Sequence, residues 1–277
     1  MRIKFWGVRG SIAVSGPKYN RYGGDTACVE VTGSSGETVI LDAGTGIRRL
    51  GLELARRKVR SCHILFTHFH WDHILGFPFF APIYSKKCSV VFTGCPHSGQ
   101  SVNDMIAKTM EPPNFPVPYD TVSASFSEQP MCRDRFVAGG MTVQAVPLSH
   151  PNGGSGYKFT ENGRSFVFLT DNELGFKHPG GLSRAGYAKF CRNADLLVHD
   201  GEYTATEYTA RRGWGHSNAE AAVALALKSG AKRLALYHHN QERTDDAIDA
   251  IVGSCRKLAA GSELGIFAAA DNMELEV

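Results

Sequence analysis

A series of short apolar runs along this 277-residue chain each close on a histidine or an aspartate. "HILFTH" ends in His68, "VPLSH" in His150, "FVFLTD" in Asp171, "LLVHD" in Asp200 and "LALYH" in His238. Rich in aliphatic, β-branched and aromatic residues and bounded by turns, these runs read as strands, too short for buried helices. Strands apolar on both faces must be covered on both faces, so the fold has to stack helices on sheets. The carboxyl ends of strands are also where open α/β sheets build their sites. A single strand-end histidine or aspartate is usually structural; repetition gives these weight.

The rest of the chain fits the same alternation. "RIKFW", "ACVEVT" and "TVILDA" are further β-rich runs separated by Gly-rich turns, and "SVVFTG" suits a central strand. "GIRRLGLELARRK" carries Ile47, Leu50 and Leu54 at helical spacing. "MTVQAVPL", "GYKFT" and "SFVFLTD" form a meander. The final third then runs through "ADLLVHD", a helix at "SNAEAAVALALKSG", the strand "RLALYHH", a helix at "DDAIDAIVGSCRKLAA" and a last strand near "MELEV". Residues 111–118, "EPPNFPVP", hold four prolines and predict a surface loop or partial lid, with Phe115 and Tyr119 placed to close over an apolar part of a ligand. The expectation is one α/β domain over residues 1–277.

Composition sets limits on function. A hydrophobic content of 43% with 21% charged residues is ordinary for a globular protein. The net charge of +3 is too small to indicate nucleic acid, and Arg56-Arg57-Lys58 and Arg211-Arg212 read as solvated helix ends. No apolar run reaches the roughly 18 residues that a membrane helix needs. The opening "MRIKFWGVRG" reads as a first strand rather than a signal peptide. Seven cysteines without a CxxC pair, with Cys28, Cys62 and Cys88 in apolar stretches, read as buried thiols of a reduced compartment. The expected location is the cytoplasm.

The densest polar feature is "THFHWDH", residues 67–73, directly after the strand "HILFT". In extended backbone, positions two apart point the same way, so His68 and His70 can converge on one ion. Asp72 and His73 are adjacent and diverge, which suits ligands to a second ion beside the first. Imidazole and carboxylate are the donor set of zinc and similar divalent metals. One turn cannot complete two coordination shells, so the strand-end residues His150, Asp171, Asp200 and His238 are candidates for the remainder. His199 and His239 adjoin these positions and could support them; His63, inside a strand, reads as a satisfied core or edge residue. His97 and His178, in Gly/Pro-rich loops, read as solvent-facing. "DAGTG" lacks the Lys-Ser/Thr ending of a phosphate cradle and reads as a turn beneath the site.

"THFHWDH" resembles the HxHxDH signature of the metallo-β-lactamase fold superfamily, and the likeness runs from "ILDAGTG" through "YHH". "VHDGEY", "GHSNAE" and "LYHHN" resemble the later motifs of its ribonuclease Z-like phosphodiesterase branch. The resemblance implies an α/β fold of the four-layer αββα sandwich type with a dinuclear site on one edge. It assigns His68, His70 and His150 to the first ion, Asp72, His73 and His238 to the second, and Asp171 as the bridge. Two divalent ions are implied, zinc first, with manganese or iron as alternatives, and a homodimer is suggested. Between His238 and His239, His238 is chosen because it directly ends the apolar strand. Asp200 stands where the ribonuclease pattern has a glutamate, and no long basic, Gly-rich arm for tRNA is present, so a small or cyclic phosphodiester is the expected substrate.

Two close cations can acidify a bridging water to hydroxide and neutralise charge on phosphoryl oxygens. The leaving alkoxide still needs a proton, and His216 in "GWGHSN" is the candidate acid, with Asp200 orienting its ring. The helix beginning near Ser217 would offer N–H groups to phosphate. Alternatives within the fold are a lactone, thioester or β-lactam hydrolase and a diiron oxidoreductase. Members of the latter kind usually place a glutamate where His70 stands and carry a flavin domain.

Overall fold

The computed structural model describes residues 1–96, 99–129 and 135–277. His97 lies outside these. Strands in the first half are β1 (Arg2–Gly7), β2 (Cys28–Thr32), β3 (Thr38–Leu41), β4 (Ser61–Leu65), β5 (Ser89–Thr93) and β6 (Ser125–Glu128). The second half holds β7 (Arg135–Ala138), β8 (Met141–Pro147), β9 (Ser155–Glu161), β10 (Arg164–Leu169), β11 (Leu196–Asp200), β12 (Arg233–Tyr237), β13 (Gly265–Ala268) and β14 (Glu274–Glu276). The α-helices are α1 (Ile47–Arg56), α2 (Trp71–Ile74), α3 (Val102–Ala107), α4 (Arg184–Phe190), α5 (Ala205–Thr209), α6 (Ala219–Ser229) and α7 (Asp245–Leu258).

Among the described residues the strands form two seven-stranded sheets, ordered β14-β1-β2-β3-β4-β5-β6 and β13-β12-β11-β10-β9-β8-β7. Each is antiparallel on one side and parallel on the other, the change falling at β3 in the first and at β10 in the second. The two-residue period of a strand sorts its side chains between layers. Val39 and Leu41 of β3 face the second sheet, where they meet Phe166, Phe168, Val198 and Tyr237. Ile40 between them turns outward to Ile47, Leu50 and Leu54 of α1. In β11, Leu196 and Val198 face inward while Leu197 packs under α4, α6 and α7 against Ala222, Val223 and Ile248. The result is the helix–sheet–sheet–helix stack. Each such aliphatic side chain, fully buried, contributes roughly 1.5–3 kcal/mol, which is why both sheet faces read as apolar runs.

Two tyrosines lock the sheets together beneath one edge. Tyr157 Oη donates to the Phe66 carbonyl at 2.6 Å and Tyr237 Oη to the Gly7 carbonyl at 2.7 Å, each reaching from the second sheet to the first. Tyr237 directly precedes His238 and Tyr157 bonds the carbonyl two residues before His68, so the rings fill the core while their hydroxyls tie the two sheets together beside candidate ligands.

Residues 111–118 form turns without regular structure. Tyr119 is not free to close over anything: its hydroxyl bonds Asn103 Oδ1 at 2.6 Å and its ring stacks on Phe126 at 5.0 Å. Phe115 instead rests edge-on against the exposed Phe79. Among the described residues no helix is long and apolar enough to cross a membrane. Cys28, Cys62 and Cys88 are buried and free.

His63 gives this scaffold a pH dependence independent of the site. Its Nε2 lies 2.8 Å from Thr93 Oγ1, whose hydroxyl donates to the Gln129 carbonyl, so the ring donates through Nε2. Burial pushes its pKa down from 6.5 to about 4. The unfolded chain takes up a proton as pH falls through 6.5, whereas the folded protein does not until about pH 4. Stability should therefore fall across this window as pH is lowered, by up to about 3 kcal/mol at the acid end. Urea denaturation between roughly pH 7 and pH 5 is expected to show a shallower slope in His63→Gln than in the wild type.

Candidate metal centre

The carboxyl ends of β4, β8, β10, β11 and β12 meet at one edge of the sandwich, and all the strand-end residues except Asp200 converge there. His70 Nδ1 lies 3.1 Å from His150 Nε2, and His68, His70 and His150 form one donor group. Asp72 Oδ2, His73 Nε2 and His238 Nε2 form a second, with separations of 3.0, 3.4 and 3.4 Å. Between them stands Asp171, whose Oδ2 is 3.6 Å from His68 Nε2, 4.0 Å from His150 Nε2, 3.5 Å from His73 Nε2 and 3.3 Å from His238 Nε2. Ligands about 2.0–2.2 Å from a tetrahedral ion sit about 3.3–3.6 Å from one another, so these spacings suit two ions sharing Asp171. His68 Nε2 is buried without a hydrogen-bond partner, which further fits a ligand atom. His239, by contrast, turns away and bonds the Ala269 carbonyl.

The surrounding residues fix which ring nitrogen faces inward. Asp42 Oδ2 accepts from His73 Nδ1 at 2.8 Å, Glu202 Oε2 from His238 Nδ1 at 2.9 Å, and the Gly215 carbonyl from His150 Nδ1 at 2.9 Å. Thr67 donates to Asp42 and accepts from His68 Nδ1 at 3.1 Å. Such partners select the tautomer that leaves Nε2 free for a metal. The Ser11 backbone N–H adds a 2.8 Å bond to Asp72. Its neighbour Gly10 must be glycine, because a Cβ there would come 2.2 Å from His238 Nδ1. Asp42, Asp171 and His238 all have φ near +60°, a left-handed backbone that non-glycine residues rarely adopt. Three strained residues at one cluster indicate that the fold holds these side chains against local preference.

Electrostatics divides the cluster. Burial drives His68 well below 6.5 and His150 down to about 3, so both rings are neutral. Burial alone would raise Asp171, but the charged His238 and His73 rings more than offset it and hold the carboxyl well below its usual range. For His73 and His238, burial is outweighed by Asp72, Asp171 and the carboxylates behind them, and both rings lie well above 6.5. The second donor group therefore favours positive charge.

His216 sits against both groups. Its ring stacks on His238 at 4.8 Å and stands edge-on to His150 at 5.3 Å. Its Nδ1 is 3.4 Å from Glu202 Oε2 and 3.8 Å from Asp171 Oδ2, close enough for the ring to join either donor set. Here the structure departs from the sequence reading. Asp200 does not face His216: its carboxylate accepts from the Asn172 and Ser217 N–H groups at 3.0 and 2.6 Å, lacing loops behind the site. The carboxylate beside His216 is Glu202, two residues on. At the start of α6, Ser217 N–H is taken by Asp200, Ala219 N–H by Tyr203 and Ala221 N–H by Asn218, so these three are not offered to a phosphate.

His178 is buried rather than solvent-facing, bonded to Glu173 at 2.8 Å. Glu173 also accepts from the N–H groups of Gly213 and Gly215 and from the Tyr208 hydroxyl. That buried carboxylate fastens the loop carrying His216, whose Gly215 carbonyl in turn holds His150. Sequence reasoning missed Asp42, Glu173 and Glu202. Glu173 and Glu202 each lie two residues after a strand-end aspartate, beyond the end of the strand, where strand periodicity no longer tells which way a side chain turns.

A family model described as a beta-lactamase superfamily domain matches residues 37–239, a span that contains the whole donor set. The chain belongs to the metallo-β-lactamase superfamily. Within the superfamily it is similar to the ribonuclease Z of Sulfurisphaera tokodaii, 24% identical over 264 residues that cover 80% of this chain and 84% of that one. The metallo-β-lactamase fold protein YhfI from Bacillus subtilis superposes with a TM-score of 0.72 at 17% identity, covering 100% and 99% of the two chains. A diphosphatase from the PhnP family does so at 0.69 and 18%, covering 100% and 97%. These structures establish the shared fold. With its buried His/Asp cluster, this metallo-β-lactamase superfamily member is a metal-dependent hydrolase.

Proposed function

We propose that the protein is a phosphodiesterase that uses a pair of divalent ions, zinc in the first instance, on a small or cyclic phosphodiester. The observation that carries this reading is the His216–Glu202 pair beside the two donor groups, with Nδ1 to Oε2 at 3.4 Å. Hydrolysis of a phosphodiester expels an alkoxide, which needs a proton from a group poised next to the reacting bond. His68, His70, His150 and Asp171 would hold one ion; Asp72, His73, His238 and the same Asp171 the other. Bound there, the ions supply Lewis acidity and a water acidified toward neutral pH.

The remaining work belongs to the chain. Glu202, with Oε2 3.4 Å from Nδ1, is the carboxylate beside His216, whose ring would donate the proton to the leaving oxygen. Asp42 and Glu202 keep His73 and His238 in the orientation that ligation requires. A small substrate suits the cleft beside His68 and His70, about 180 Å³ in volume. Similarity to a ribonuclease Z and to a PhnP-family diphosphatase supports a phosphoester substrate.

The test is hydrolysis of bis(p-nitrophenyl) phosphate and cyclic nucleotides beside a lactone, a thioester and a β-lactam, by protein loaded in turn with zinc, manganese and iron. The phosphodiesters are expected to show the largest kcat/KM with at least one metal. Faster turnover of any of the other three classes would overturn the reading.

A further inference from the structure

The cleft at the metal cluster does not end there. It is lined by His68, His70, Phe69 and Met105, and the last two also line a larger cavity of about 410 Å³. Trp71 and Leu75 form the outer wall of this cavity, 75% and 45% exposed, four residues apart on one face at α2. Large apolar side chains left open to water beside a site mark a surface that something else covers. The polar residues of its lining are Lys108, Thr109 and Asn114. Phe69 is held for this role by stacking on Phe66 at 5.3 Å, so its ring is a fixed wall.

We propose that this trough binds a planar aromatic or heteroaromatic ring carried on one arm of the phosphodiester, a specificity pocket that rests on the phosphodiesterase reading above. Two aromatic rings and a thioether suit a flat π-system, while Lys108 and Asn114 suit the hydrogen-bonding edge of a heterocycle. Continuity through Phe69 and Met105 places such a ring beside His68 and His70 while its phosphate lies at the donor groups.

The experiment compares p-nitrophenyl phosphodiesters whose second arm is methyl, cyclohexyl or 1-naphthyl, so that the leaving group is constant. Removing a ring from water predicts a kcat/KM at least about tenfold higher for naphthyl than for methyl, with cyclohexyl between them. In Leu75→Ser and Met105→Ser the naphthyl-to-methyl ratio should fall toward one. A ratio near one in the wild type overturns the pocket while leaving the phosphodiesterase reading standing. Calorimetric binding of 1-naphthyl phosphate against methyl phosphate decides the matter without turnover. Tighter naphthyl binding that is lost in both variants upholds the pocket even if no diester is cleaved, and equal affinities overturn it.

Discussion

Asp171→Ala is expected to abolish binding of both ions and to cost more than the roughly 100- to 1,000-fold typical of losing one stabilising group. Among the described residues, Asp171 is the carboxylate set against ligand atoms of both donor groups. Its Oδ2 lies within 4.0 Å of ligand atoms from His68, His150, His73 and His238. Removing it leaves four neighbouring imidazoles with no central anion, so both positions weaken together. The Asp171 backbone sits at φ +55°, which alanine adopts less readily than aspartate or asparagine, so the fold of the variant is checked alongside. Asp171→Asn controls for shape: it keeps the volume and loses the charge, and should show the same loss of metal by elemental analysis with an unchanged circular dichroism spectrum. Retention of one ion at full occupancy in either variant would show that Asp171 serves a single position.

His216→Ala should lower the rate on substrates with poor leaving groups by about 100- to 10,000-fold, the usual cost of losing a general acid. The penalty should shrink sharply for p-nitrophenyl esters, because p-nitrophenolate departs with little need of a proton. Metal content should be unchanged. His216 lies within ligating distance of either donor set, so loss of an ion would reassign it as a ligand, and equal penalties on both substrate types would make it a substrate-positioning group. Glu202→Gln should reproduce part of the leaving-group dependence. It should also weaken metal binding by about 10- to 100-fold, since the same carboxylate orients His238. Asp200→Asn should give neither signature, because Asp200 bonds only to groups behind the site.

Much of this arrangement was legible in the chain because it rests on strand periodicity. The apolar runs became β4, β8, β10, β11 and β12, and the residues at their ends lie together because the strands end at one edge of two packed sheets. The short edge strands were harder to read. Ser125–Glu128, Arg135–Ala138 and Gly265–Ala268 are four residues each, too short for alternation to register. The choice between Asp200 and Glu202 was illegible for a different reason. Two residues apart, they would share a face in a continued strand, but the chain leaves β11 at Asp200, whose carboxylate turns behind the site while that of Glu202 reaches the His216 side. Asp42 was hidden by its neighbours: "DAGTG" reads as a turn, and its carboxylate meets His73 only through the left-handed bend at its own Cα.

The central claim is that two ions share Asp171 and that both are needed. It is tested most directly by titrating metal-free protein with zinc while following p-nitrophenyl phosphodiester hydrolysis and bound metal together. The account predicts that binding saturates at about two ions per chain and that activity rises to its maximum only as the second position fills. Full activity at one ion per chain would contradict it.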